Sequence, residues 1–237
     1  MIAVIGDVHG CFYTFQNLVE RIKQEYPGIP IYCVGDLVDR GNHSYEVLEY
    51  AISEKIIFTI GNHDYMFYAS IREPASLMAK SWKYNGAETT LASYSGDRIG
   101  RLDDHLNLII SSPLFLNMDD CFISHAGISV RLKDKLPEDF LEHPIELEKI
   151  LREDLFEQDS IIWTRSELLN IGKLQVVGHT HRKEVYYDKN SDALYIDTTA
   201  FGNNNLTAVI IDNNKLLNKI SEKTFPDDVN INWTYYL

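Results

Sequence analysis

The order of patterns along this chain predicts an α/β fold built on parallel strands. Two observations carry that prediction. Apolar runs at 2–5, 31–34 and 56–60 alternate with two amphipathic stretches, so the chain opens strand, helix, strand, helix, strand. Strands joined in this way return parallel through right-handed crossovers. A short polar motif follows each run directly, and in open α/β sheets ligands bind just beyond the carboxyl ends of the strands.

The elements follow in order. The first helix covers 12–26, with Phe15, Leu18, Val19 and Ile22 on one face, and Pro27-Gly28 stops it. The second covers Ser44–Ser53 and turns Tyr45, Leu48 and Ile52 inward. From about 65 to 105 the chain is mostly helical, polar and aromatic, which suits a cap or rim around a site. Residues 114–124 read as a further strand ending at His125, 145–157 as a helix, and 174–177 as a strand ending at Gly178-His179. The stretches 185–196 and 206–211 alternate around turns at Asp188-Lys189-Asn190-Ser191-Asp192 and Asp212-Asn213-Asn214, which predicts antiparallel strands of a second sheet. With no repeat, linker or low-complexity segment, the whole span 1–237 is expected to form one domain with the helical segment inside it.

A chain of 237 residues is long enough for a large core. Its 35 acidic and 22 basic residues give a net charge of −13, which argues against a general nucleic-acid binder and against a protein held on anionic lipid. An anionic substrate must then be drawn by a local positive site. The three cysteines, Cys11, Cys33 and Cys121, are odd in number and widely spaced, so they make no disulfide framework. They lie beside the motifs as thiolate candidates, but the preferred reading is small apolar filler. Residues 1–5 lack a basic leader and no apolar stretch reaches membrane-span length, so the expectation is an intracellular protein, cytoplasmic in a bacterium.

Five polar motifs carry the chemistry: Gly6-Asp7-Val8-His9-Gly10, Gly35-Asp36-Leu37-Val38-Asp39-Arg40-Gly41, Gly61-Asn62-His63-Asp64, His125-Ala126-Gly127 and Gly178-His179-Thr180-His181-Arg182. Each follows an apolar run. Together they offer mixed oxygen and imidazole ligands for two adjacent divalent ions. Asp7 and His9 reach one ion, Asp36 bridges both through its two oxygens, and Asn62, His125 and His179 serve the second ion. Two carboxylates against two divalent ions leave surplus positive charge, which attracts phosphate and acidifies a bridging water. The expected ions are Mn, with Fe, Zn, Co or Ni as alternatives; calcium does not suit so many imidazoles. Asp64 reads as a cap for a helix beginning near Tyr65. His43, His105 and His143 have no assigned role.

These motifs, in this order, resemble the phosphoprotein phosphatase branch of the calcineurin-like metallophosphoesterases, with lambda-type and bacterial serine/threonine phosphatases as the nearest members and symmetrical diadenosine tetraphosphatases alongside. The resemblance runs from Gly6 to about Ala208. It extends to Asn85-Gly86 with Thr90-Leu91 and Ser93-Tyr94, to Trp163-Thr164-Arg165, and to Ile196-Asp197-Thr198-Thr199-Ala200 with Leu206-Thr207-Ala208. It implies a β-sandwich of two mixed sheets flanked by helices, with a two-metal centre between the sheets. It also implies that His63 protonates the leaving oxygen, oriented by Asp39, and that Arg40 and Arg165 grip phosphate oxygens. In the wider family a Gly-His-x-His motif gives a second imidazole to the first ion, so His181 either binds that ion or acts from behind it. Thr199 stands where a Gly is usual, which puts the local backbone in question.

The implied reaction is phosphomonoester hydrolysis by in-line attack of a metal-bridging hydroxide. The substrates expected first are phosphoserine and phosphothreonine in proteins or peptides, then small phosphate esters. Dinucleoside polyphosphate hydrolysis is the alternative, and a silent metal-binding scaffold is the rival from another class. No nucleic-acid or membrane partner is expected.

Overall fold

The computed structural model describes residues 1–229. Two five-stranded mixed sheets face each other, and helices cover their outer faces. The first sheet is assembled from β1 (Ile2–Ile5), β2 (Ile31–Cys33), β3 (Ile57–Phe58), β9 (Asn205–Asp212) and β10 (Lys215–Lys223), in the order β10-β9-β1-β2-β3. β1, β2 and β3 run parallel, joined through α1 (Phe12–Glu25) and α2 (Ser44–Ser53), as the alternating pattern predicts. The second sheet has the order β4-β5-β6-β8-β7, from β4 (Phe115–Asn117), β5 (Phe122–Ser124), β6 (Gln175–Val177), β7 (Tyr186–Asp188) and β8 (Ala193–Tyr195).

The period of two along β1 divides the core between two layers. Ile2 and Val4 point into the space between the sheets, where they meet Ile123, Val176, Leu194, Val209 and Ile211. Ala3 and Ile5 point the other way, onto Phe15, Leu18, Val19 and Ile22 of α1. A one-residue slip of β1 would exchange these faces, so the two cores fix its register. Behind the second sheet, Leu147 and Leu151 of α7 (Pro144–Glu153) join the larger core with Phe115 and Phe122.

The segment between β3 and β4 is helical: α3 (Asn62–Arg72), α4 (Leu77–Trp82), α5 (Ala87–Ser93) and α6 (Leu102–Ser111). No helix among the described residues is long and apolar enough to cross a membrane.

The structure corrects four sequence expectations. The stretch 206–211 belongs to β9, which pairs antiparallel with β1 in the first sheet; only β7 and β8 join the second. Both faces of β9 are buried, so its pattern marks a strand without naming its sheet. Residues 114–124 form a hairpin, β4 and β5, not one strand. The inward face of α2 is Ser44, Val47, Leu48 and Ala51, whereas Ile52 is 39% exposed. Its period is as expected but its phase is not, because α5 and α1 both pack on it. The helix placed at 145–157 ends at Glu153, and the residues beyond form a loop.

Candidate metal centre

The proposed ligands stand where parallel strands end. Asp7 and His9 follow β1, Asp36 follows β2, Asn62 opens α3 after β3, His125 follows β5 and His179 follows β6. The loops are tightly wound: His9, Asp36, Asp39, Arg40 and His179 have φ of 46°, 50°, 72°, 71° and 59°. Such left-handed conformations are uncommon for side chains with a Cβ and persist only where surroundings enforce them. Two glycines permit the close approach between loops. A Cβ on Gly61 would lie 2.1 Å from Asp36 Oδ1, and one on Gly178 would lie 1.9 Å from Asp7 Oδ1.

Two groups of donors result, each within 4.8 Å of one another: His9, Asp36 and His63, and Asp36, His125 and His179. Asp36 belongs to both. All five side chains are buried. Backbone carbonyls fix the tautomers, since a carbonyl only accepts. His9 Nδ1–H donates to Val38 O at 3.0 Å, His125 Nδ1–H to Val34 O at 3.0 Å, and His179 Nε2–H to Trp163 O at 3.1 Å. The opposite nitrogen of His9 lies 3.6 Å from Asp36 Oδ2.

The chemistry of these atoms suits cations. His125 Nε2 faces two oxygens, Asn62 Oδ1 at 3.0 Å and Asp36 Oδ2 at 3.4 Å. With Nδ1 already donating, only a proton or a cation at this nitrogen reconciles the three atoms. Among protein groups alone, burial opposes a charge on His125, but Asp36 outweighs it and pushes the imidazole up to about 9. Burial likewise opposes the charge on Asp36, and His125, His63 and His9 outweigh it, holding that carboxyl well below its usual range. Burial and the nearby Asp197 push Asp7 well upward. Burial, with Arg40 beside His9 and His125 beside His179, keeps those two imidazoles neutral, the state that ligates. Divalent cations would relieve the repulsion among these carboxylates while drawing on the imidazole nitrogens that face them, so the residues present fit a pair of such ions.

Three candidates lie outside both groups: Asn62, whose Oδ1 is 3.0 Å from His125 Nε2, Asp7 and His181. Asp7 accepts from the His179 backbone N–H through both oxygens, at 3.3 and 3.0 Å. His181 is 33% exposed and donates Nδ1–H to buried Asp197 Oδ2 at 2.5 Å. Its ring meets Phe201 edge-on at 5.4 Å.

His63 and Asp39 meet as the resemblance implies, with Nδ1 2.8 Å from Oδ2. The sequence reading missed the rest of this cluster. Trp82 Nε1–H is shared between the two Asp39 oxygens at 3.0 and 2.9 Å, and Thr90 Oγ1–H donates to Oδ1 at 2.7 Å. The segment expected as a rim therefore reaches beneath the site and clasps a carboxylate that is fully buried. Trp82→Phe keeps a ring to stack on Phe67 but removes the N–H. It is expected to lower kcat on an alkyl phosphate about tenfold, the worth of one hydrogen bond to a charged group. On para-nitrophenyl phosphate the loss is expected to stay below about twofold, because that leaving group needs little protonation. Equal losses on both would reduce Trp82 to a packing role.

Arg40 spreads over the Phe201 ring, its guanidinium carbon 4.3 Å from the centroid, and its Nη1–H lies 2.9 Å from His9 Nε2. Burial lowers its pKa, yet a guanidinium stays a cation. Arg165 is exposed and lines an open cavity of about 530 Å³ that His179 also borders.

Asp64 does more than cap a helix. The helix begins at Asn62, and the Asp64 carboxylate accepts from the N–H groups of Gly61 at 3.0 Å, Asp36 at 2.8 Å and Leu37 at 2.9 Å. It thereby ties the loop after β2 to the one after β3. His105 is buried between Tyr94 and Glu49, away from both donor groups. The three cysteines are free and buried, and burial pushes Cys121 up to about 12 and the other two well above their usual value, as apolar filler requires.

Comparison with known proteins agrees with this geometry. A model of the calcineurin-like phosphoesterase family matches residues 1–210. A curated relative, bis(5′-nucleosyl)-tetraphosphatase PrpE (asymmetrical) of Bacillus cereus strain B4264, is 32% identical over 150 residues, covering 53% of this chain and 56% of the relative. The chain thus spans about half the length of the curated relatives it matches. Among solved structures, one provisionally described as a diadenosine tetraphosphatase has a TM-score of 0.60 at 17% identity, covering 94% of both chains. A cold-active protein-tyrosine phosphatase of a psychrophilic Shewanella species has a TM-score of 0.59 at 17% identity, covering 94% of this chain and 80% of the other. At these identities the structures speak for the fold alone.

Proposed function

The chain belongs to the calcineurin-like phosphoesterase family, and on that premise we propose that it hydrolyses dinucleoside polyphosphates, such as diadenosine tetraphosphate, at a centre of two divalent cations. The observation that carries the metal-dependent part is the position of Asp36, shared by both donor groups. The substrate rests on the name of the Bacillus relatives, which supports a dinucleotide better than the phosphoserine or phosphothreonine expected from the motifs. The centre and the chemistry are common to both readings; only the substrate changes.

Asp7, His9, Asp36, Asn62, His125 and His179 would hold the cations, with Mn the first choice and Fe, Zn, Co or Ni the alternatives, and His181 would either join them or orient Asp197 behind them. Such ions supply surplus positive charge and acidify a water. The remaining work falls to this chain's own groups. Arg40, braced by Phe201, presents a planar fork to non-bridging oxygens, and Arg165 approaches from the cavity side. His63, its Nδ1–H engaged by Asp39, offers Nε2 to the departing oxygen.

The test uses chelated, desalted protein with Mn restored, assayed on diadenosine tetraphosphate and on a phosphothreonine peptide. Metal-dependent splitting of the dinucleotide is the expected result. Adenosine triphosphate with monophosphate would mark asymmetrical cleavage, and two diphosphates the symmetrical kind. Phosphate release from the peptide with the dinucleotide untouched would return the protein phosphatase reading.

A further inference from the structure

The cavity beside the centre has a composition that phosphate binding alone does not explain. His179 and Arg165 line it together with Phe156, Trp163 and Met78, and Trp163 meets the His179 ring at 6.2 Å. Phe156 is 59% exposed, an unfavourable position for a large apolar ring unless something covers it. It is also held in place: its ring meets Tyr65 at 5.7 Å, and Tyr65 lies on α3 two residues after His63. Trp163 adds a buried indole N–H that has no hydrogen-bond partner among the described residues. Glu157 and Asp159 also line it and offer carboxylate acceptors to amino groups. A fixed aromatic face and carboxylate acceptors suit a neutral heteroaromatic ring tethered to a phosphate.

We propose that this cavity is a nucleoside subsite, in which the exposed face of Phe156 stacks on one base of the substrate while the attached phosphate reaches Arg165. This deepens the dinucleotide reading and rests on it for the identity of the substrate. Its volume of about 530 Å³ lies within the range usual for small-molecule sites.

The experiment compares adenosine monophosphate with ribose 5-phosphate as competitors of para-nitrophenyl phosphate turnover by the Mn-loaded protein. The two differ only by the base. The monophosphate is expected to inhibit about tenfold more tightly, as one base–aromatic stack implies. Phe156→Ala should bring the two inhibition constants within about twofold, and Phe156→Trp should restore the gap. On diadenosine tetraphosphate, Phe156→Ala should raise KM far more than it lowers kcat. Equal inhibition by the two competitors in the wild type, or a gap that survives Phe156→Ala, would overturn the subsite whether or not the dinucleotide is cleaved. A gap that Phe156→Ala abolishes, in a protein that leaves the dinucleotide intact, would keep the subsite and discard the dinucleotide reading.

Discussion

Asp36→Asn is expected to lower kcat/KM on any phosphate substrate by about 1,000-fold or more. Two divalent cations stabilise transition-state charge by several kcal/mol, and each tenfold in rate is about 1.4 kcal/mol. Asp36 is the one side chain common to both donor groups, so its charge would act on both proposed ions. Asparagine keeps the volume and one oxygen, and Asp36 Oδ1 can still be replaced as acceptor for the His63 backbone N–H, now at 2.9 Å. The variant should therefore fold. Metal analysis should find at least one equivalent of Mn lost per chain. Retention of two equivalents with activity within tenfold of wild type would remove Asp36 from the bridging position.

His63→Asn is expected to divide substrates by their leaving groups. General acid catalysis contributes about 100- to 10,000-fold where the departing oxygen is strongly basic. A phosphoserine or other alkyl ester is such a case, and a loss near the middle of that range is expected. For para-nitrophenyl phosphate the loss should be no more than about tenfold. A dinucleoside tetraphosphate should side with the aryl ester, because its leaving group is itself a phosphate with a second pKa of about 6. The variant thus reports on the natural substrate as well as on the acid. If the protein evolved for a phosphate leaving group, His63 contributes little to that reaction and much to the alkyl one. Equal losses on alkyl and aryl esters would show that His63 is not the proton donor.

The convergence of the candidate ligands is legible in the sequence because they sit within a few residues of strand ends, where apolar runs announce them. Asp7, Asp36, Asn62, His125 and His179 could be placed from local pattern alone. Their neighbours could not. Trp82 and Thr90 reach Asp39 across 43 and 51 residues, from a segment whose composition says only that it is helical and aromatic. Phe201 is set against Arg40 by a left-handed turn at Thr199, with φ of 63°. Thr199 departs from the glycine usual there, yet nothing local identifies the arginine that the following ring supports. The same limit explains the fold errors. Alternation reveals that 206–211 is a strand, but pairing with β1 depends on the whole sandwich. The phase of α2 differs from that of its sequence pattern because α5, remote in sequence, covers part of its surface.

The left-handed residues around the centre set stability against activity. His9, Asp36, Asp39, Arg40 and His179 hold φ between 46° and 72°, a conformation that costs an L-residue roughly 1–2 kcal/mol and costs glycine almost nothing. Replacing one of them by glycine removes a group proposed to act at the centre and strain together. A laboratory selection that rewards heat resistance alone would thus be drawn towards the very positions that chemistry needs, and would return sturdier, inactive proteins. Stability engineering of this scaffold should hold these five positions fixed and look for its gains on the exposed β10 edge and the surfaces of α1 and α7, far from the strand ends.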